Sequence, residues 1–149
     1  MATGGRTIGL DLGGARCGVA IDDELGRIAH PRPNFPAKDK KLLVESIVDF
    51  ARKEGGARFV LGLPLEMSGR EGRAAERVRQ FAQLLADASG LDVMLWDERL
   101  TTVEASRQLR AGGTSARDQK AVIDGVAAAT ILQAWLDARR ARRRRSSEP

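Results

Sequence analysis

Residue types that carry sulfur, phenol and imidazole chemistry are scarce in this chain. Its 149 residues include one cysteine, one histidine and no tyrosine. A single cysteine excludes an intrachain disulfide and a cysteine-rich zinc site. Because Cys17 lies in the apolar run from 17 to 21, we expect it to be a buried small side chain and not a nucleophile. The few aromatic residues fall mostly in strand or helix patterns, which does not indicate a platform for stacking bases.

Long apolar runs are absent as well. No stretch approaches the roughly 20 residues that a membrane-spanning helix requires. The first six residues lack the apolar core of a signal peptide. We therefore expect a cytoplasmic protein with no membrane partner, and the length suits a single domain.

The positive charge is concentrated at one end of the chain. The formal net charge is +5, and residues 139–149 contain six arginines and one glutamate, which account for the whole excess. We therefore divide the chain into a domain of residues 1–138 and an arginine-rich tail of residues 139–149. Such a tail binds phosphate backbones without sequence preference, or it is a solvated helix end whose arginines favour the helix dipole.

Apolar runs separated by turn residues open the chain. Strand-like segments cover Thr7–Asp11 and Cys17–Ile21 and are joined by a glycine-rich turn. A third short strand is predicted at Arg27–His30, where Pro31 and Pro33 should stop it. These three segments predict an antiparallel meander.

Helical and strand-like patterns alternate after the meander. The expected elements are a helix at Lys40–Glu54, a strand at Phe59–Leu63, a helix with its apolar stripe from Ala74 to Leu85, a strand at Leu91–Trp96, a helix whose capping box is Thr101 and Glu104, and a final helix from about residue 117. This order predicts an α/β fold with a five-stranded mixed sheet. The first three strands should be antiparallel, the last two parallel, and helices should cover both faces.

Three acidic residues lie at the edges of apolar segments. Asp11 ends the first strand, Glu98 follows the last strand, and Asp124 lies in the final helical pattern. An ionised carboxylate in such a place is costly unless it is solvated, paired or bound to metal. Oxygen ligands that converge from several elements are what a hard cation requires. For Glu98 the neighbouring Asp97 is an alternative, since one of the two can pair with Arg99.

Four blocks of the chain resemble the YqgF (RuvX) family. They are Gly9-Leu10-Asp11-Leu12-Gly13 with Arg16-Cys17-Gly18-Val19-Ala20, Gly62-Leu63-Pro64-Leu65 with Gly69, Trp96-Asp97-Glu98-Arg99-Leu100-Thr101-Thr102, and Asp124 with Ala127-Ala128 and Ile131-Leu132-Gln133. They occur in the family's order over about residues 6–137. The resemblance implies an RNase H-like fold related to the Holliday-junction resolvase RuvC. It also implies that Asp11, Glu98 and Asp124 form the catalytic, metal-binding set.

The resemblance implies phosphodiester hydrolysis with Mg²⁺ or Mn²⁺. Two divalent ions roughly 3.5–4 Å apart can activate water and neutralise charge at the leaving oxygen. We expect two ions, with Asp11 as the ligand that both share and with Glu98 and Asp124 on either side. Basic residues near the glycine-rich segments and in the loop before the last helix are candidates for phosphate contacts. They are Arg16, Arg70, Arg73, Arg99, Arg117 and Lys120.

The favoured function is therefore a metal-dependent nuclease that acts on structured nucleic acid, with processing of the 5′ end of pre-16S rRNA implied by the family. One alternative is a Holliday-junction resolvase, which would act on branched DNA and needs a homodimer. Another is an RNase H-like nucleic-acid-binding module without catalysis. The sequence contains no dedicated dimer helix, but a face of the second predicted helix could serve as an interface, so a monomer and a homodimer both remain open.

Overall fold

One mixed sheet of five strands organises the part of the chain that the computed structural model describes, residues 5–101 and 124–147. Its strands are β1 Arg6–Leu12, β2 Arg16–Asp22, β3 Ala29–Pro36, β4 Gly56–Leu63 and β5 Asp92–Asp97. Their spatial order is β3-β2-β1-β4-β5. The β1–β2 and β2–β3 pairs are antiparallel, and the β1–β4 and β4–β5 pairs are parallel. The predicted mixed sheet is thus confirmed.

Helices cover both faces of this sheet, as the sequence predicts. The described helices are α1 Lys40–Glu54, α2 Arg73–Ser89 and α3 Val126–Ser147, with a short 3-10 helix at Glu98–Leu100. The bounds of α1 match the prediction. Asp39 caps its first turn by accepting hydrogen bonds from the backbone N–H groups of Lys41 and Leu42. Gly55 ends it in the left-handed conformation, at φ 71°.

Alternation along the strands divides the core into two layers. Ile8, Leu10 and Phe59 point to the side on which α1 and α2 pack. Ala20 and Val60 point to the other side, where α3 packs with Ile131, Leu132 and neighbouring side chains. Odd-numbered residues of β1 and even-numbered residues of β2, β4 and β5 therefore share the face that α3 covers.

The prediction for the third strand is wrong in its position. Instead of ending at His30, β3 runs through Pro31 and Pro33. β3 is an edge strand that pairs with β2 on one side, so a proline's missing N–H need not interrupt the ladder. The register shifts between Cys17 and Val19, which places Pro33 and Asn34 opposite a single residue of β2.

Helix α3 continues across the boundary at which the sequence divides domain from tail. It extends to Ser147 and includes the arginines from Arg139 to Arg145. The division itself remains a prediction. The helix predicted from Thr101 and the predicted start of the final helix near residue 117 lie outside the described residues. Asp124, expected in the helical pattern, lies in a turn directly before α3, which begins at Val126 after Gly125. Within residues 5–101 and 124–147, no helix combines the length and apolar composition that crossing a membrane needs.

Gly9 marks the closest approach between α3 and β1. A Cβ built on Gly9 would lie 2.7 Å from the Cβ of Leu132 and 2.9 Å from the backbone oxygen of Ala128. Only hydrogen fits between strand and helix at this point. The helix therefore lies low across the sheet, from the edge where β1 ends to the edge where β1 begins.

Gly9→Ala should destabilise the fold by about 1–3 kcal/mol, because the added methyl group forces α3 away from β1. Gly14→Ala is the matched control, since a Cβ there meets nothing within 4 Å. The control should be neutral or slightly stabilising through the unfolded chain. Urea unfolding of both variants checks this expectation, and equal midpoints would contradict the packing described.

Asp22 is a buried carboxylate at the opposite edge of the sheet from Asp11. It is 3% exposed and accepts a hydrogen bond of 3.0 Å from the backbone N–H of Thr7. The Arg6 guanidinium lies 3.9 Å away. Burial raises the pKa of Asp22, and this outweighs the Thr7 hydrogen bond and the Arg6 charge, which lower it.

A raised pKa means that the folded state binds the Asp22 proton more tightly than the unfolded state. The contribution of Asp22 to stability is therefore largest below its ordinary pKa of 3.8 and is lost as pH rises through the folded value. Asp22→Asn keeps an oxygen for Thr7 but does not titrate. The stability difference should shift in favour of the variant as pH rises from about 3 to about 6. Urea unfolding across that range tests this, and a shift in favour of the wild type would contradict it.

Candidate active site

Asp11 lies on the α3-facing side of the sheet, at the edge where β1 ends. The residue is 8% exposed. Its antiparallel partner on β2 is Gly18. On its other side lies Gly62 of β4. Leu10 pairs with Leu61 in these parallel strands, so the next residues along, Asp11 and Gly62, are neighbours. Asp11 is thus flanked by two residues without side chains, which leaves space for other groups to approach it.

Glu98 uses the space that Gly62 leaves. It opens the 3-10 helix directly after β5. A Cβ on Gly62 would lie 2.8 Å from the Oε1 atom of Glu98 and 2.7 Å from the Cδ1 atom of Ile131. The Glu98 carboxylate therefore extends over β4 toward the strand that carries Asp11.

Asp97 and Glu98 are adjacent, and the sequence left open which of the two pairs with Arg99. The carboxylate of Asp97 accepts hydrogen bonds from Arg99, at 2.7 Å from one terminal guanidinium nitrogen and 3.1 Å from Nε. These bonds lower the pKa of Asp97. Asp97 is thus the member of the pair that binds Arg99, and it also accepts the backbone N–H of Arg99 at the start of the 3-10 helix.

Asp124 is positioned by the glycine that follows it. Gly125 has φ +77°, and a Cβ there would lie 2.6 Å from the backbone oxygen of Val19 and 2.7 Å from that of Arg32. The chain before α3 is therefore held against β2 and β3. At this point Asp124 accepts a 3.0 Å hydrogen bond from Nδ2 of Asn34 and a 3.4 Å bond from its backbone N–H.

Asn34 connects Asp124 to the region of Asp11. Its amide oxygen is buried and has no hydrogen-bond partner among residues 5–101 and 124–147. A Cβ on Gly18 would lie 3.7 Å from this oxygen and 3.5 Å from the Cβ of Asp11. A buried amide oxygen normally has a partner, so this atom offers a ligand position next to Asp11.

A cavity of about 260 Å³ joins several of these groups. Asp11, Glu98, Asn34 and Arg16 line it, whereas Asp124 contacts it through Asn34. Within the described ranges, no three side chains of His, Cys, Asp or Glu lie close enough to hold one metal ion. The structure thus brings Asp11 and Glu98 to one cavity and leaves Asp124 hydrogen-bonded beside it.

The donors of this cavity fit a hard divalent cation. Two carboxylates and an amide oxygen are the oxygen ligands that Mg²⁺ and Mn²⁺ prefer. The cavity contains neither histidine nor cysteine among its lining residues, and softer ions prefer those ligands. Asp11 and Glu98 are therefore suited to hold a metal ion, with the free lone pairs of Asn34 directed to the same space.

The candidate phosphate-binding residues lie in different surroundings. Arg16 is exposed and lines the cavity of the acids. Arg70 and Arg73 are exposed between β4 and the start of α2. Arg99 is paired with Asp97, and its guanidinium also donates a 3.4 Å hydrogen bond to the backbone oxygen of Met67 in the loop before α2. The remaining candidates, Arg117 and Lys120, lie outside the described residues.

Sequence reasoning missed Asn34 and two cationic residues beside the site. Lys40 and Arg77 line a cavity of about 510 Å³, which shares Leu12 and three other lining residues with the cavity of the acids. Nothing in the local sequence distinguishes Asn34, since it lies between prolines where no strand was expected. The positions of Lys40 and Arg77 depend on how α1 and α2 pack together, which helical periodicity alone does not predict.

Cys17 is a buried apolar residue, as predicted. It is fully buried in the layer beneath α1 and α2. Burial, and to a smaller extent the charge of Asp11, raises the pKa of its thiol to about 12. The thiol is therefore protonated at neutral pH and takes no part in the chemistry of the site.

Solved structures share this fold at low sequence identity. The chain matches Thermus thermophilus RuvC in complex with a Holliday junction substrate, with a TM-score of 0.56, 13% identity and coverage of 91% of this chain and 95% of that chain. It also matches the fowlpox virus Holliday junction resolvase, with a TM-score of 0.50, 12% identity and coverage of 89% and 99%. These likenesses confirm the RNase H-like fold.

Relatives with higher identity cover nearly the whole chain. A protein of Anaeromyxobacter dehalogenans (strain 2CP-C) is 46% identical over 134 residues, which are 90% of this chain and 98% of the relative. One from Chloroflexus aurantiacus (strain ATCC 29366 / DSM 635 / J-10-fl) is 44% identical over 141 residues, 95% of this chain and 92% of the relative. Both carry the name "Putative pre-16S rRNA nuclease". The model of the RuvX family, described as "Holliday junction resolvase", matches residues 5–138, and the chain therefore belongs to the RuvX family.

Proposed function

We propose that this protein is a divalent-metal-dependent nuclease that hydrolyses phosphodiester bonds in structured nucleic acid, and that it processes the 5′ end of pre-16S rRNA in the cytoplasm. The observation that carries the proposal is the shared cavity of Asp11 and Glu98, with the unpartnered oxygen of Asn34 beside them. The names of the relatives support the choice of rRNA precursor as substrate.

The residues of the cavity have separable tasks in this chemistry. Asp11 and Glu98 would hold the cation, and Asp124 would complete the acidic set from the start of α3. When bound, Mg²⁺ or Mn²⁺ supplies an activated water and neutralises charge at the leaving oxygen, and we propose two ions. Arg16 is placed to bind a phosphate oxygen of the substrate strand.

The larger neighbouring cavity is a candidate binding site for the part of the substrate strand beyond the cut bond. Its floor is apolar and includes Val78 and Phe81, whereas Lys40 and Arg77 supply positive charge. Phosphate contacts from such residues fix the position of a strand without reading its sequence. The two cavities share lining residues and therefore adjoin, so a strand bound in one could continue into the other.

A Holliday-junction resolvase is the second candidate, because the family model has that description. The same acids would cut DNA, but a four-way junction needs two sites, and therefore a homodimer. A binding module without catalysis is the third reading. Such a module would bind nucleic acid through its basic residues, and its acids would catalyse no cleavage.

Metal binding is tested first by thermal unfolding. Carboxylates around one cavity repel each other without a cation, and a metal at about 100 times its Kd should add about 2.7 kcal/mol. For a chain of this length we expect a rise in Tm of about 5–10 °C. Asp11→Asn should reduce this rise, whereas Asp87→Asn, which removes one exposed carboxylate on α2, should not. Equal rises in all three proteins would contradict the assignment of Asp11.

Cleavage of an rRNA precursor and of a four-way DNA junction distinguishes the candidate functions. We expect the wild type to cut the precursor with Mg²⁺ or Mn²⁺. Glu98→Gln should lower the rate by more than about 100-fold, since even residues that only support a metal ligand contribute 10–100-fold. Substrate binding should persist, because the arginines are unchanged. Preferential junction cutting would favour the resolvase, and binding without cleavage by the wild type would favour the binding module.

A further inference from the structure

A second group of arginines lies at the edge of the sheet opposite the acids. Arg58 near the start of β4 and Arg139 and Arg142 on α3 line one cavity of about 390 Å³. Asp92, at the start of β5, is the acid among its lining residues. We call Arg58, Arg139 and Arg142 the distal arginine cluster. It combines residues of the sheet with residues that the sequence assigns to a separate tail.

Two of these arginines are held in place by contacts of their own. The guanidinium of Arg139 lies over the ring of Trp135, 5.2 Å from its centroid. Arg58 donates a 2.8 Å hydrogen bond to the hydroxyl of Thr7 and one of 3.4 Å to the backbone oxygen of Gly5. Arginines that are already ordered lose less side-chain entropy when they bind a ligand.

Positive charge exceeds negative charge on both sides of Arg139. A second cavity of about 220 Å³ lies beside the first, and its charged lining residues are Asp22, Glu24, Arg27, Arg139, Arg140 and Arg143. Arg140 is paired with Asp137. Burial, followed by the charges of Arg143 and Arg58, lowers the pKa of Arg139. Folding therefore brings like charges together at a cost that a bound anion would offset.

We propose that the distal arginine cluster binds the phosphate backbone of the nucleic acid whose scissile bond lies at Asp11 and Glu98. The inference rests on the proposed function for the position of the scissile bond. A backbone fits better than a free phosphate, because positive charge continues from this cavity into the neighbouring one, which Arg27, Arg140 and Arg143 line. A polyanion can contact several of them at once, and sequence plays no part in such contacts.

The separation of the two sites sets a minimum length for the substrate. The cluster lies where β1 begins and the acids lie where it ends. At about 3.3 Å per residue, the seven residues of β1 span about 20 Å. One strand of a DNA duplex covers that distance in about six nucleotides at about 3.4 Å each, and the more compact A-form duplex of RNA needs slightly more. Nucleic acid that reaches both sites must therefore extend about six nucleotides beyond the cut bond.

Binding of RNA hairpins over a range of salt concentrations tests the proposal. Stems of about five and about fifteen base pairs are compared in EDTA, so that no cleavage occurs. With the long stem, Arg139→Gln/Arg142→Gln should reduce the slope of log affinity against log salt by up to about 1.8, or about 0.9 per lost phosphate contact. With the short stem the variant should match the wild type.

Arg144→Gln/Arg145→Gln is the matched control, since it removes the same charge from the same helix outside the cavity. It should change the slope less than the cluster variant does. Equal effects of both variants, or an equal effect of the cluster variant on short and long stems, would overturn the proposal in favour of unspecific tail charge. Arg142→Gln alone repeats the test at an exposed residue, should the double variant unfold.

Other outcomes separate this inference from the proposed function. A protein that binds with the expected length dependence but does not cut would contradict the nuclease and leave the cluster standing. A protein that cuts while the cluster variant binds both stems normally would contradict the cluster alone. If inorganic phosphate raises the Tm of the wild type and stem length has no effect on its binding of the hairpins, the cluster is a free-phosphate site and the proposal is overturned.

Discussion

The surface of the sheet beneath α3 depends on the absence of side chains at two positions. Gly9 lets the helix touch β1, and Gly62 leaves room for Glu98. Any Cβ at Gly9 or Gly62 would overlap a neighbouring side chain or backbone atom. The packing of the helix and the grouping of the acids thus have the same physical cause, which is close approach to bare backbone.

Parallel strands bring the acids to one edge. β1, β4 and β5 run in the same direction, so Asp11 and Glu98 emerge at their carboxyl ends. Asp124 arrives from another direction, because Gly125 holds the start of α3 against β2 and β3. Asn34 then connects it to the cavity. The opposite edge carries the distal arginine cluster, and α3 spans the distance between the two.

Much of the fold follows from local patterns, whereas the details of the site do not. Alternating and helical periodicity predicted the sheet and α1, because burial dictates those patterns. The position of β3 was missed, since an edge strand tolerates prolines that a central strand would exclude. Motif resemblance indicated Asp11, Glu98 and Asp124. Asn34 and the partnership of Arg58 with Arg139 depend on contacts between elements distant in sequence, which no local signal encodes.

The most direct test is a crystal structure with Mn²⁺, because anomalous scattering locates the ion independently of activity. We predict an anomalous peak in the cavity that Asp11 and Glu98 line, bound by carboxylate oxygens of both. The peak should be absent from Asp11→Asn crystals prepared in the same way. A peak elsewhere, or equal occupancy in the variant, would contradict the central claim that these carboxylates form a metal-dependent active site.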